Sequence, residues 1–176
     1  MLTLLWTVVV VPLLLFGQSG PAQTTPESCR KFVQAFYDWY VPKSDDDHGP
    51  MLEGALRDKR VVFGRQLYRL LEEESDAQAK TTELVTPDFD FFLFSQDPCN
   101  RYAAQEPQRS GNAYWVEVRG VCGPSDDRPQ KVFAKVAWTG TVWKFVDFAS
   151  ARGATDEKRS LVAMLKANRK NLYPKN

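Results

Sequence analysis

Histidine is almost absent from this chain of 176 residues: His48 stands alone, inside the polar stretch 43–50. A single imidazole in a polar loop gives no support to Ser-His or Cys-His nucleophilic chemistry, and no Gly-x-Ser-x-Gly elbow occurs. A glycine-rich phosphate loop and Asn-x-Ser/Thr acceptor sites are missing too. Charge of one sign is also lacking. The 23 basic and 22 acidic side chains nearly cancel and are interspersed, which excludes the one-signed field that nucleic acid or anionic membranes exploit. Cysteine is scarce, and Cys29, Cys99 and Cys122 include no close pair, so a zinc site is disfavoured. Nothing in the sequence calls for a cofactor.

Charge is absent altogether from the first 26 residues; the first charged side chain is Glu27. Leu2–Phe16 is apolar-dominated, shorter than the roughly 20 residues a membrane-spanning helix needs, and interrupted by Pro12. Gly20 and Ala22 then supply the small residues that a signal peptidase reads. The expectation is a signal peptide over 1–22, a single domain over 23–176, and an exported protein, periplasmic or secreted, with no stable membrane insertion after removal of the leader. A retained N-terminal anchor is the alternative, because the n-region carries neither Lys nor Arg.

Beyond Ala22 the chain has the makings of a core. Thr25 suits a helix N-cap, Pro26 the first helical position, and Glu27 the positive helix end. Cys29, Phe32, Val33, Phe36, Tyr37 and Tyr40 recur at helical spacing up to Val41-Pro42, where the helix is expected to stop. Asp45, Asp46 and Asp47 lack the alternation and the Glu of a calcium loop and read as a solvated turn. A second helical region covers 51–74, with a break expected around 58–61 and a weak point at Gly64; residues 75–87 read as loop. Period-2 alternation predicts strands over 113–122, 131–138 and 141–148, the last two joined by a tight Thr139-Gly140 turn. A closing helix is expected over 156–168. Helices followed by antiparallel strands make an α+β fold.

In an oxidising compartment, three cysteines leave one over. Cys29 lies on the apolar helix face and is expected to stay a buried thiol. Cys99 and Cys122 lie at element ends, next to Pro98 and Gly123, and in an exported chain are expected to be oxidised together, with free thiols as the alternative.

Three strings resemble the family known as domain of unknown function 3828. They are Phe32-Val33-Gln34-Ala35-Phe36-Tyr37-Asp38-Trp39-Tyr40, Asp88-Phe89-Asp90-Phe91-Phe92-Leu93-Phe94-Ser95-Gln96-Asp97 and Gly140-Thr141-Val142-Trp143-Lys144-Phe145-Val146-Asp147-Phe148. The resemblance implies an exported bacterial protein in which N-terminal helices pack on a curved antiparallel sheet, the nuclear transport factor 2-like or cystatin-like cone. It supplies no catalytic residues.

Two groups of side chains could carry chemistry. Asp88, Asp90 and Asp97 interleave with phenylalanines, and a carboxylate desolvated there could act as general acid or base; capping of a turn is the simpler role. Trp115, Glu117 and Arg119 share one face of a strand, Phe133 and Lys135 share another, and Trp143, Phe145 and Asp147 are expected to share a third. Aromatics with a few convergent charges describe a ligand pocket or a core edged with cross-strand ion pairs. The sequence thus reads as an exported, non-enzymatic module binding a small apolar ligand or a protein partner. The alternative is an acid–base enzyme using a desolvated Asp with a Tyr donor.

Overall fold

A computed structural model describes residues 24–44, 51–80, 89–123, 130–150 and 159–172. The leader, the aspartate loop with His48, and Asp88 lie outside these residues. Helix α1 spans Pro26–Ser44, α2 Met51–Lys59 and α3 Arg65–Gln78, the last two separated by a 3-10 turn at Arg60–Val62. Strands β1 (Arg101–Ala104), β2 (Gln108–Ser110), β3 (Ala113–Val121), β4 (Lys131–Trp138) and β5 (Trp143–Ser150) come next in the chain, and α4 (Leu161–Leu172) closes the order. All strand pairings are antiparallel, in the order β1-β3-β4-β5 with β2 also on β3, and the sheet is not closed into a barrel. The α+β expectation is met.

Thr25 caps α1 as its sequence position suggests. Its hydroxyl accepts from Ser28 N–H and Ser28 Oγ accepts from Thr25 N–H, each at 3.1 Å. The helix does not stop at Pro42 but runs two residues further. Proline removes one amide there, yet in a last turn the forfeited bond costs less than in mid-helix. The break between α2 and α3 falls where the sequence placed it, with Gly64 as the N-cap of α3. Ser75–Gln78, expected as loop, prolongs that helix.

The apolar stripe of α1 is core. Cys29, Val33, Phe36, Tyr37 and Tyr40 are buried against Val116, Val118, Val132, Ala134 and Val136 from the inner sheet face. Phe36 is the centre of an aromatic cluster, with ring centroids 4.8 Å from Phe145, 5.5 Å from Phe92 and 5.4 Å from Tyr40. Leu67, Leu70 and Leu71 of α3 and Leu161 and Leu165 of α4 complete the layer.

Two details of β5 differ from the sequence reading. The β4–β5 turn holds four residues instead of two: Thr139 N–H donates to Val142 C=O at 3.0 Å, Gly140 takes φ +93°, and Trp138 pairs with Trp143. A register shift then leaves Val146 unpaired opposite Lys135/Val136. Such a bulge reverses which face later residues occupy. Trp143, Phe145 and Phe148 point to the core, while Asp147 pairs with Lys135 instead of sharing a face with Trp143. The short strands β1 and β2 escaped the sequence reading, being too brief to show alternation.

Candidate functional site

The sequence-selected residues do not gather at one place. Asp90 is structural: its Oδ1 accepts from Phe92 N–H at 2.7 Å and Leu93 N–H at 2.9 Å, and Tyr40 OH donates to Oδ2 at 2.5 Å. Burial raises its pKa against the lowering effect of those three bonds. The Tyr donor imagined for catalysis is present as Tyr40, yet Tyr40 is buried, Asp90 is half-buried, and the two are bonded to each other. Asp97 is engaged through its backbone, its N–H to Ser95 Oγ and its C=O to Gln130 Nε2. Trp143 lies on the core side, donating from Nε1 to Ser28 Oγ at 3.1 Å. Asp147 accepts from Phe148 N–H at 2.8 Å and Val162 N–H at 3.0 Å, which ties the start of α4 to β5; burial raises its pKa. The cleft between α1 and β1 is lined by none of Asp90, Asp97, Trp143 and Asp147.

Trp115, Glu117 and Arg119 do remain together, on the sheet face opposite the helices. Cross-strand pairing sets Trp115 beside Lys135, Glu117 beside Phe133 and Arg119 beside Lys131. The Lys135 ammonium lies 5.1 Å from the Trp115 ring centre. Glu117 Oε1 accepts from Arg119 Nε at 2.6 Å and lies 3.3 Å from Lys131 Nζ. The Arg119 hydrogen bond, then the Lys131 contact, holds the Glu117 carboxyl below its ordinary pKa. Trp115 and Phe133 are half-buried and sit diagonally to each other, outside the main core. The outer face is therefore two aromatic side chains with a rim of mixed charge that tilts cationic.

No protein-family model and no curated protein matches the chain. The fold, however, has solved counterparts. The chain is similar to a chain of the selenomethionine form of the type VI effector–immunity complex Tae3-Tai3 from Ralstonia pickettii, with 19% identity and a TM-score of 0.50 over 70% of this chain and 97% of that one. The native form of the same complex gives 17% identity and 0.50 over 73% and 97%. At that identity the likeness shows the fold alone.

Cys99 and Cys122 form a disulfide with their Cα atoms 4.5 Å apart, and Cys29 is a buried free thiol, as the helix stripe suggested. The disulfide is consistent with an exported protein. Desolvation pushes the Cys29 thiol up to about 12, which disfavours the reactive thiolate. Among the described residues no cluster of His, Cys, Asp and Glu could hold a metal ion, and no helix is long and apolar enough to cross a membrane.

The sequence reading missed a cleft of about 390 Å³ between α1 and β1, with Gln34, Asp38 and Pro42 on the helix wall and Asn100, Arg101 and Tyr102 on the strand wall. Gln34 and Asp38 occupy one side of the α1 sequence one turn apart, the only local hint. Their strand counterparts carry none.

Proposed function

We propose that this chain is an exported, non-enzymatic module that works by binding a partner protein through the outer face of its sheet. Residues 1–22 serve as the leader and 23–176 as the binding domain. The observation that carries the reading is the half-exposed Trp115 and Phe133 beside Lys135, Lys131, Arg119 and Glu117. Aromatic and Arg side chains ringed by polar groups are the composition of binding hot spots. The fold likeness to a chain solved within an effector–immunity complex points the same way. Asp90, with its three hydrogen bonds satisfied internally, supports the non-enzymatic side of the reading.

The test is quantitative affinity purification from the producing cells with the natural chain, Trp115→Ala and Arg119→Glu, all compared after confirming native folding by circular dichroism. A protein enriched by the natural chain and depleted at least about tenfold by both variants is expected for a hot-spot contact. Identical recoveries from all three chains would sink the sheet-face reading.

A further inference from the structure

We infer that the cleft between α1 and β1 takes an extended segment of a partner protein whose Lys or Arg side chain pairs with Asp38. The strand edge supplies the first part of the argument. Gln105 N–H donates to Glu117 C=O, so the odd-numbered residues of β1 turn their backbone groups toward β3. Tyr102 lies opposite Gly120, whose own N–H donates to Gln130 C=O on the far side. Tyr102 and Ala104 therefore present their backbone groups outward, toward α1.

Gln34 already fills one place on that edge as a peptide group would. Its Nε2 donates to Tyr102 C=O at 2.9 Å and its Oε1 accepts from Ala104 N–H at 2.7 Å. Beside that amide, Tyr102 N–H has no acceptor among the described residues, and Tyr102 lines the cleft. A carbonyl of an added chain suits this donor, as when an extended peptide lengthens a sheet edge.

Charge comes from the helix wall. Gln34 Nε2 also donates to Asp38 Oδ1 at 2.8 Å, which holds that carboxylate toward the strand. Asp38 is exposed, lines the cleft and has no ion pair among the described residues. The cations of α1 are placed elsewhere: Arg30 and Lys31 lie on Glu27, and the Lys43 ammonium is 5.4 Å from the Trp39 ring centre. Arg101 borders the cleft too, but the β1–β3 register pairs it with Val121 and carries its side chain to the outer sheet face. The charge left in the cleft is a single negative one. Val41 and Pro42 line the same wall, apolar surface for the methylene stem of a Lys or Arg whose head meets Asp38.

This site uses none of the outer-face residues and rests on the binding reading only in taking its segment from a partner protein. The experiment is selection of a displayed random decapeptide library on the full chain, followed by titration of the synthesised winner into the ¹⁵N-labelled protein. Selected peptides are expected to carry Lys or Arg, to shift the Tyr102 amide and Gln34 side-chain amide signals, and to slow Tyr102 N–H exchange about tenfold. Asp38→Asn keeps the acceptor for Gln34 and should weaken the winner about fivefold, the upper range for a partly exposed ion pair. Asp38→Lys should weaken it further and prefer the counterpart carrying Glu in place of the basic residue, while Trp115→Ala leaves the winner unchanged. Recovery of no peptide, winners without a basic residue, shifts confined to the Trp115 face, or indifference to Asp38→Asn would overturn the inference. Asp38-dependent cleft binding in a chain with no Trp115-dependent partner would support it and count against the sheet-face function alone.

Discussion

Gln34 and Tyr102 lie 68 positions apart in sequence, yet the Gln34 amide caps the outer edge of β1 by bonding Tyr102 C=O and, through its oxygen, Ala104 N–H. An uncovered sheet edge is a template for unwanted pairing, and a side-chain amide of this kind blocks it. Gln34→Leu leaves both backbone groups without their partner. The expected loss is about 2–4 kcal/mol, the sum of two partly buried unsatisfied groups. Urea unfolding measures it, and Gln34→Glu, which keeps the acceptor for Ala104, should fall between the two.

Asp90 should make stability depend on pH in a particular direction. Its folded pKa is raised, with burial as the main cause, so its contribution is fully present below the ordinary unfolded value of about 3.9 and is lost as pH rises through the folded value. The unfolding free energy of the natural chain relative to Asp90→Asn should therefore move in favour of the natural chain as pH falls from 7 to about 4. Matched denaturation series at several pH values check this; a difference constant with pH would refute it. Asp90→Ala strands three donors and should cost about 2–4 kcal/mol at any of these pH values.

Glu74 presents the same sign from the same cause, burial, without the hydrogen bonds that surround Asp90. It is 1% exposed on α3, its Oε2 is buried without a hydrogen-bond partner, and Gln78 Nε2 approaches Oε1 at 3.5 Å. Desolvation raises its pKa, so the ionised form is penalised in the folded state as pH rises. Glu74→Gln should be more stable than the natural chain by on the order of 1 kcal/mol at pH 8. That advantage should shrink toward pH 4 in the same denaturation assay.

Gly120 shows why the disulfide end of the sheet tolerates no side chain. A Cβ there would stand 2.6 Å from Cys99 Sγ and 3.0 Å from Gln130 Cβ. Tyr102 OH bridges the same region, accepting from Cys99 N–H and donating to Gln130 Oε1 at 2.6 Å. Gly120→Ala is expected to cost about 1–3 kcal/mol through overpacking. Thermal unfolding of the oxidised protein reads it out.

Removing the bridge by Cys99→Ser with Cys122→Ser should cost about 3 kcal/mol in the chain-entropy model for a loop of this length. In the natural folded protein Cys29 should resist alkylation and label only after unfolding, since burial holds its thiol near 12. Peptide mapping of the alkylated chain distinguishes all three positions. A Cys99 or Cys122 peptide labelled without prior reduction would contradict the pairing.

The sequence by itself determined the elements whose patterns are local. The cap at Thr25, the stripe from Cys29 to Tyr40, the interruption before α3 and the alternation of β3 and β4 each arise from side-chain period or a capping group within a few residues. The shared face of Trp115, Glu117 and Arg119 was legible for the same reason, because nothing interrupts β3. Tertiary structure alone decided the rest. The bulge at Val146 reversed the face of Asp147, since period-2 reasoning fails once one residue is left out of register. The capping of Asp90 on Phe92 and Leu93 N–H was legible as a local turn role, whereas Tyr40 reaches its other oxygen from 50 residues away. The α1–β1 cleft, too, depends on which helix wall meets which strand edge. Gln34 reaches Tyr102 and Ala104 only after the sheet has formed, and no spacing in the chain records that meeting.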